Sequence, residues 1–377
     1  MNKIAIVTLS GYFNYGNRLQ NYALQETLEG LNFDVETIKN NNTKIISKPK
    51  GSLLSRIKGK SPVLIYKILK NKFSAYRHRD IIEKRTEMFK EFTIKYIKEI
   101  DCMILDKGII KHLPFEYDYF VTGSDQVWNP DYLLGTSTNF LTFAPADKRI
   151  SYAASFGIST IPSKWVADYK KCLLNMKYLS VREEAGAKII KDLTGREAPV
   201  HIDPTLLLTK EKWLSIAKEA NNKPKGNYLL TYFLGGVPEV YKKQINRIVE
   251  ENKLEIINLG DVKERETYMT GPSEFIDYIN SCSVLYTDSF HGSVFSILLE
   301  KPFVVCDRKD TDNDSSMYSR INTLLDKFNL NSRRIENIKT DEEIFNIDYT
   351  HIPHILEKER EKAFNYLKEA LDMKGKK

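Results

Sequence analysis

Short apolar runs alternate with helical patterns along almost the whole chain, and the runs end in polar or glycine-bearing clusters. That alternation restricts the chain to a parallel α/β architecture, because neighbouring parallel strands need a helical crossover between them. Residues 3–9 read as a first strand, followed by a glycine turn over 11–16 and a helix over 17–30 with apolar residues at helical spacing. A second strand spans 33–38, and a long charged helix spans 76–97. Strands at 117–122 and 149–154 complete the first set. A second set comprises 178–181, 199–202, 228–234, 255–259, 284–287 and 302–306, with helices at 237–251 and 273–281 between its members. At 377 residues the chain exceeds one ordinary domain. A division near residue 176 shares the strands evenly. The expected fold is therefore two doubly wound, Rossmann-like α/β domains facing a cleft. The N-terminal domain takes 1–176, with a basic insert at 39–79, and the C-terminal domain takes 177–345. A final helix over 352–373 is long enough to pack back on the first domain.

Composition narrows the function. The apolar fraction of 42% supplies real cores. The cysteines Cys102, Cys172, Cys282 and Cys306 are far apart and form no C-x-x-C pair, which suits a reducing cytoplasm and argues against zinc or a disulfide framework. The apolar start is too short for a signal core, and no run approaches the roughly 20 residues of a membrane helix. A cytoplasmic, soluble protein is expected. The net charge of +7 hides an asymmetry: twelve Lys or Arg and no acid lie between Lys39 and Arg79. Such a block is either solvated surface or a segment that lies on anionic lipid, since apolar residues interleave with its charges. No nucleic-acid motif accompanies it, so no nucleic-acid partner is expected.

Six polar clusters fall at strand ends: residues 11–18, 123–129, 155–157, Arg182, Asp203 and 288–292. In open parallel sheets ligands bind beyond the carboxyl ends of the strands, so the six point to one cleft. The sharpest is the last. Val284–Thr287 runs directly into Asp288, Ser289, Phe290, His291 and Gly292, and an apolar helix follows without a loop. Such a switch aims backbone N–H groups and the positive helix end at one point, where a histidine can touch an anion or trade a proton.

The cluster from Gly11 to Arg18 is a glycine turn before a helix. It is neither G-x-G-x-x-G nor a Walker motif, and the glycines also suit an ordinary βα turn. Asn17 and Arg18 stand at the helix start, where the dipole disfavours a cation, so an arginine there suggests a ligand. Ser124, Asp125, Gln126, Trp128 and Asn129 offer hydrogen-bonding groups beside an indole. That combination suits a sugar, although Ser124 or Asp125 could instead cap a helix. Arg182 directly follows an apolar strand and could grip a carboxylate or phosphate, or pair with Glu183 or Glu184. Asp203–Pro204 reads as a turn. Arg308, Ser315, Ser316 and Arg320 form a basic, hydroxyl-rich stretch that could cover the cleft. No metal-ligand spacing and no G-x-S-x-G elbow occur, so neither a metal nor a cofactor is expected.

These residues resemble the polysaccharide pyruvyl transferase family. The carriers are the segment from Gly11 to Gln25, Gly123 to Asn129, Ser151 to Gly157, Val181-Arg182-Glu183, Asp203-Pro204, and Ser289-Phe290-His291-Gly292, in the family's order. The resemblance implies a two-domain fold similar to GT-B glycosyltransferases. It also implies transfer of the pyruvyl group of phosphoenolpyruvate, as co-substrate, to two hydroxyls of a hexose, giving a cyclic ketal and phosphate. The acceptor would be a cell-surface polysaccharide or its lipid-linked precursor, met at the inner face of the membrane, with residues 39–79 on the anionic lipid.

The family's motif residues fall on Arg182 and His291, the catalytic candidates. Asn17, Arg18, Ser289, Gly292, Arg308 and Arg320 are the donor-side candidates. Ser124, Asp125, Gln126, Trp128, Asn129 and Ser155 are the acceptor-side ones. Many members carry arginine where this chain has Ser289, so that role would pass to Arg18, Arg308 or Arg320. Two alternatives share the architecture: a nucleotide-sugar-dependent GT-B glycosyltransferase, and a non-catalytic glycan- or membrane-binding protein.

Overall fold

The computed structural model describes residues 1–39, 77–100, 113–131, 138–234, 236–308 and 317–373. The apolar runs form two all-parallel sheets. The first has the order β3-β2-β1-β4-β5, with β1 Lys3–Val7, β2 Asp34–Ile38, β3 Glu99–Ile100, β4 Tyr119–Thr122 and β5 Arg149–Ser151. The second has the order β7-β6-β8-β9, with β6 Tyr228–Tyr232, β7 Glu255–Asn258, β8 Val284–Thr287 and β9 Phe303–Val305. Both are doubly wound. The strand order reverses between β1 and β4 in the first sheet and between β6 and β8 in the second. The crevices at those reversals are where such sheets hold ligands.

Two of the segments expected in the second set belong elsewhere. Tyr178 bridges Ile150, Val181 bridges Ala154, and Val200 bridges Val181, so 178–181 and 199–202 extend the open β5 edge of the first sheet. Their isolated bridges, short of full ladders, explain why an even sharing of strands misplaced them. The expected division at 176 therefore falls inside the first sheet's own continuation. The strand expected over 149–154 stops at Ser151, because Ala153 adopts φ 46° and turns the chain. Helix α1, Tyr15–Gly30, begins two residues before the expected start, with Asn14 extended at the cap.

Helix α2, Arg79–Tyr96, and helix α3, Glu184–Thr194, flank the first sheet's segments. Helix α4, Pro272–Ser281, and helix α5, Phe290–Leu298, serve the second. Every residue of α5 is buried, which is how a helix apolar on all sides must sit. Helix α6 spans Met317–Lys327, and helix α7, Ile352–Ala370, closes the chain. Tyr366 of α7 donates to the Ser151 carbonyl at 2.7 Å, so this helix reaches back to β5.

One hydrophobic cluster runs through both halves, from Ile4, Leu19 and Tyr22 to Phe275, Val294 and Phe295. At its centre Tyr15 stacks on Phe275 at 4.3 Å and on Phe89 at 5.2 Å. Arg85 of α2 donates to the Tyr15 hydroxyl at 2.8 Å and to the Tyr268 carbonyl at 2.6 Å. This seam fixes the two strand reversals face to face. Among the described residues no helix is long and apolar enough to cross a membrane. Residues 40–76, most of the basic insert, lie outside the described residues.

Candidate functional site

The two reversals meet through a glycine. A side chain added at Gly16, in the first turn of α1, would sit 2.0 Å from His291 Nδ1, so the imidazole of α5 lies directly on the α1 backbone. Only glycine permits that approach. On its other side His291 Nε2 faces Asp203 Oδ2 at 3.6 Å. Asp203 is the hub. Its Oδ2 accepts from Arg182 Nη1 at 2.6 Å and lies 3.1 Å from Ser124 Oγ, while Oδ1 accepts from the Thr205 backbone and hydroxyl. Arg182 Nη2 donates to Asp125 Oδ1 at 3.2 Å, and its guanidinium lies 4.3 Å from the centroid of the Phe290 ring. Arg320 of α6 approaches the same Asp125 oxygen at 4.0 Å.

Local sequence explains each placement. Asp203 caps a short 3-10 turn with Pro204 at its first position, where proline's missing N–H costs nothing. Gly123 is at φ 116°, and a side chain there would meet the Tyr152 carbonyl at 2.2 Å, so glycine alone lets the β4 loop fold back on β5. Ser124 is then held on both sides of its backbone by a linked pair. Its N–H donates to Gln20 Oε1, its carbonyl accepts from Thr8, and Gln20 Nε2 donates to the same Thr8 hydroxyl. Glu183, next to Arg182, accepts from Ser155 Oγ at 2.9 Å and from the Phe156 N–H at 3.0 Å.

All of these charges are buried. Burial opposes the ionised Asp203, but the facing His291, Arg182 and the Thr205 N–H outweigh it and hold the carboxyl well below the usual carboxylate range. For Glu183 burial dominates over Arg182 and Arg320 and raises the carboxyl. Burial and the neighbouring Arg182 push Arg320 down to about 10. Two buried groups, Arg182 Nε and Glu183 Oε2, have no hydrogen-bond partner, and His291 Nε2 has only the Asp203 carboxylate, 3.6 Å away. Leaving such groups unmatched is costly, and here they lie within one buried network of opposite charges.

The structure brings Ser124, Asp125, Ser155, Arg182, His291 and Arg320 into one network and sends the other candidates elsewhere. Trp128 is 0% exposed, stacked on Phe140 at 5.2 Å, with its N–H given to the Asn139 carbonyl. It is core, not a sugar platform. Asn129 donates to Gln126 Oε1 at 2.8 Å, and the pair packs on Gly157. Arg18 is ion-paired with Glu99 at 3.0 Å and donates to the Leu9 carbonyl, away from Asp203, although its Nε, like that of Arg182, has no hydrogen-bond partner. Asn17, beside it, is buried in the same first turn and its carbonyl accepts from Gln20. Arg308 pairs with Asp288 at 3.0 Å. Ser289 caps α5 by accepting from the Gly292 N–H, so that N–H is not aimed at a ligand, and Gly292 is small because Thr287 packs against it. Ser315 and Ser316 lie outside the described residues.

Sequence reasoning placed Asp203 among the strand-end clusters and both Asp203 and Glu183 in the segments that carry the family resemblance, but read one as a turn and the other as a salt-bridge partner and gave neither a site role.

Residues 14–310 match the model of a family described as polysaccharide pyruvyl transferase. No curated protein matches the chain. Among solved structures it is similar to S. aureus MnaA with UDP, at TM-score 0.48 and 11% identity, covering 99% of this chain and 97% of that one. It is also similar to UDP-GlcNAc 2-epimerase from Neisseria meningitidis bound to UDP-GlcNAc, at TM-score 0.41 and 9% identity, covering 100% and 95%. A third is MurG of Acinetobacter baumannii, at TM-score 0.40 and 9% identity, covering 99% of each chain.

Proposed function

The chain belongs to the polysaccharide pyruvyl transferase family, and on that premise we propose that it moves the pyruvyl group of phosphoenolpyruvate onto two hydroxyls of a hexose as a cyclic ketal. Family membership supports a transferase that modifies polysaccharide. The finer reading rests on one observation: a buried arginine whose Nε has no hydrogen-bond partner and a buried histidine from the other sheet converge on one ionised aspartate, Asp203.

The reaction needs an O–H added across C2=C3 of the donor, then phosphate displaced from C2 by a second O–H. His291 takes the first hydroxyl proton, and the donor methylene gains one to become methyl. The second hydroxyl's proton leaves with phosphate. Asp203 faces the imidazole and orients it, and a positioned acid–base group contributes typically 100- to 10,000-fold. Arg182 has both terminal nitrogens on Asp125 and Asp203, so it offers the donor its Nε–H and its charge. Arg320, not Arg18, takes the part of the arginine replaced by Ser289, because it shares Asp125 with Arg182. Ser124 and Ser155 stand on the acceptor side. The acceptor is a cell-surface glycan or its lipid-linked precursor, and the basic insert 39–79 rests on anionic lipid at the inner face of the membrane.

Phosphate release from phosphoenolpyruvate that depends on a glycan acceptor is the expected result. Thermal stabilisation by a nucleoside diphosphate, with none by phosphoenolpyruvate, would replace this reading by nucleotide-sugar glycosyl transfer.

A further inference from the structure

With Trp128 in the core, an exposed aromatic face for the C–H surface of a hexose has to come, among the described residues, from another side chain. Two aromatic side chains among the described residues are exposed, Phe13 and Phe115. Phe115 precedes β4 and so lies at the amino ends of the strands, away from the crevices. Phe13 follows β1 at the carboxyl end, 70% exposed. We propose that Phe13 is the stacking platform for the acceptor sugar, a role that rests on the acceptor being a glycan.

Single exposed apolar residues are ordinary, but this one is mounted. Its carbonyl accepts from Arg85 Nη2 at 3.3 Å. Tyr12, before it, donates to Glu99 at 2.6 Å, and Tyr15, after it, donates to the Thr270 carbonyl at 3.2 Å. The ring folds over Gly11, where an added side chain would meet Phe13 Cε1 at 2.5 Å. Three residues on, Gly16 touches His291, and three trans-peptide steps keep the Phe13 Cα within about 11 Å of the Gly16 Cα. An aromatic face is thus held out to solvent on a backbone fixed at both ends, on the same short turn as the glycine that seats the imidazole. Fixing a contact group before binding lowers the ordering cost of association.

The test is saturation-transfer NMR with the methyl pyranosides of glucose, galactose and mannose on the full chain, its Phe13→Ala form and its Phe13→Trp form. The wild type is expected to saturate the C–H protons on one face of at least one glycoside. A face that contributes as an aromatic pair does corresponds to a loss of roughly 2- to 12-fold in affinity for Phe13→Ala. Phe13→Trp keeps binding, and both variants keep the melting temperature. Wild type that saturates none of the three sugars, or Phe13→Ala that binds as wild type does, overturns the platform. Phosphate release from phosphoenolpyruvate is read in parallel. Phe13-dependent sugar binding without release removes pyruvyl transfer and leaves the platform, whereas release insensitive to Phe13 removes the platform alone.

Discussion

Asp203→Asn removes one charge and no volume from the centre of the site, and the structure sets its cost. One carboxylate oxygen faces Arg182 Nη1 at 2.6 Å, and the other accepts from the Thr205 N–H at 3.0 Å and the Thr205 hydroxyl at 2.7 Å. Whichever way the new amide turns, its NH2 meets a donor. Arg182 keeps only Asp125, at 3.2 Å, as a partner in full burial. Breaking a buried pair from one side costs about 3–5 kcal/mol. For a chain of 377 residues, an unfolding entropy of about 2.1 cal/mol/K per residue converts this to a fall of about 4–6 °C in melting temperature. The carboxyl is held below its ordinary value of 3.8 in the folded chain. Its stabilisation is therefore full at neutral pH and is lost as the pH falls below that value. The gap between wild type and variant, followed by thermal melts from pH 7.5 downward, should be constant to about pH 5 and narrow below 3.8. A variant that melts within about 1 °C of wild type at pH 7.5 would refute the placement of Asp203 as the hub.

His291→Ala should lower acceptor-dependent phosphate release about 100- to 10,000-fold; normal turnover in a folded variant removes the histidine from the chemistry. Gly16→Ala forces the imidazole off its seat, and a displacement near 1 Å costs on the order of 100-fold in rate. Gly30→Ala, at the far end of the same helix with nothing within 4 Å, should instead stabilise by about 0.5–1 kcal/mol, which separates crowding at the site from a general effect on α1. His201 is pushed down to about 4 by burial and by Lys327. The unfolded ring takes up a proton that the folded ring refuses, so stability is full above about 6.5 and falls by up to about 3 kcal/mol as the pH drops from there to 4. Denaturant titration of wild type and His201→Phe across that range checks it, and a parallel pH profile in both would count against the assignment.

Much of the fold was legible because its signals are local. Residues 284–287 formed a strand at the bounds their sequence indicated, since an apolar run of that length bounded by a polar turn has few alternatives. What was not legible was to which sheet a short run belongs. Segments 178–181 and 199–202 look like any other parallel strand in sequence. Their place at the edge of the first sheet is set by the Ala153 turn and the pairing of Ser180 with Ser151, long-range contacts that periodicity does not encode.

The site shows the same limit from the side of charge. An arginine after a strand was a sound reason to look at Arg182, but a cation in sequence carries no record of what already neutralises it. Arg18 and Arg182 were indistinguishable as anion binders, and each turns out to be engaged by an acid, Glu99 in one case and Asp125 with Asp203 in the other. The difference lies in company. The acid that meets Arg182 also meets a histidine from the other sheet, so the charge of Asp203 is shared between two groups that reach it from separate halves of the chain. Neither half holds the site alone, and the seam at Tyr15, Arg85 and Phe275 lies between the halves that carry His291 and Asp203. Rate should therefore be more sensitive than stability to changes along that seam, because catalytic geometry tolerates little change in separation and the packed rings of the seam are shared by both halves.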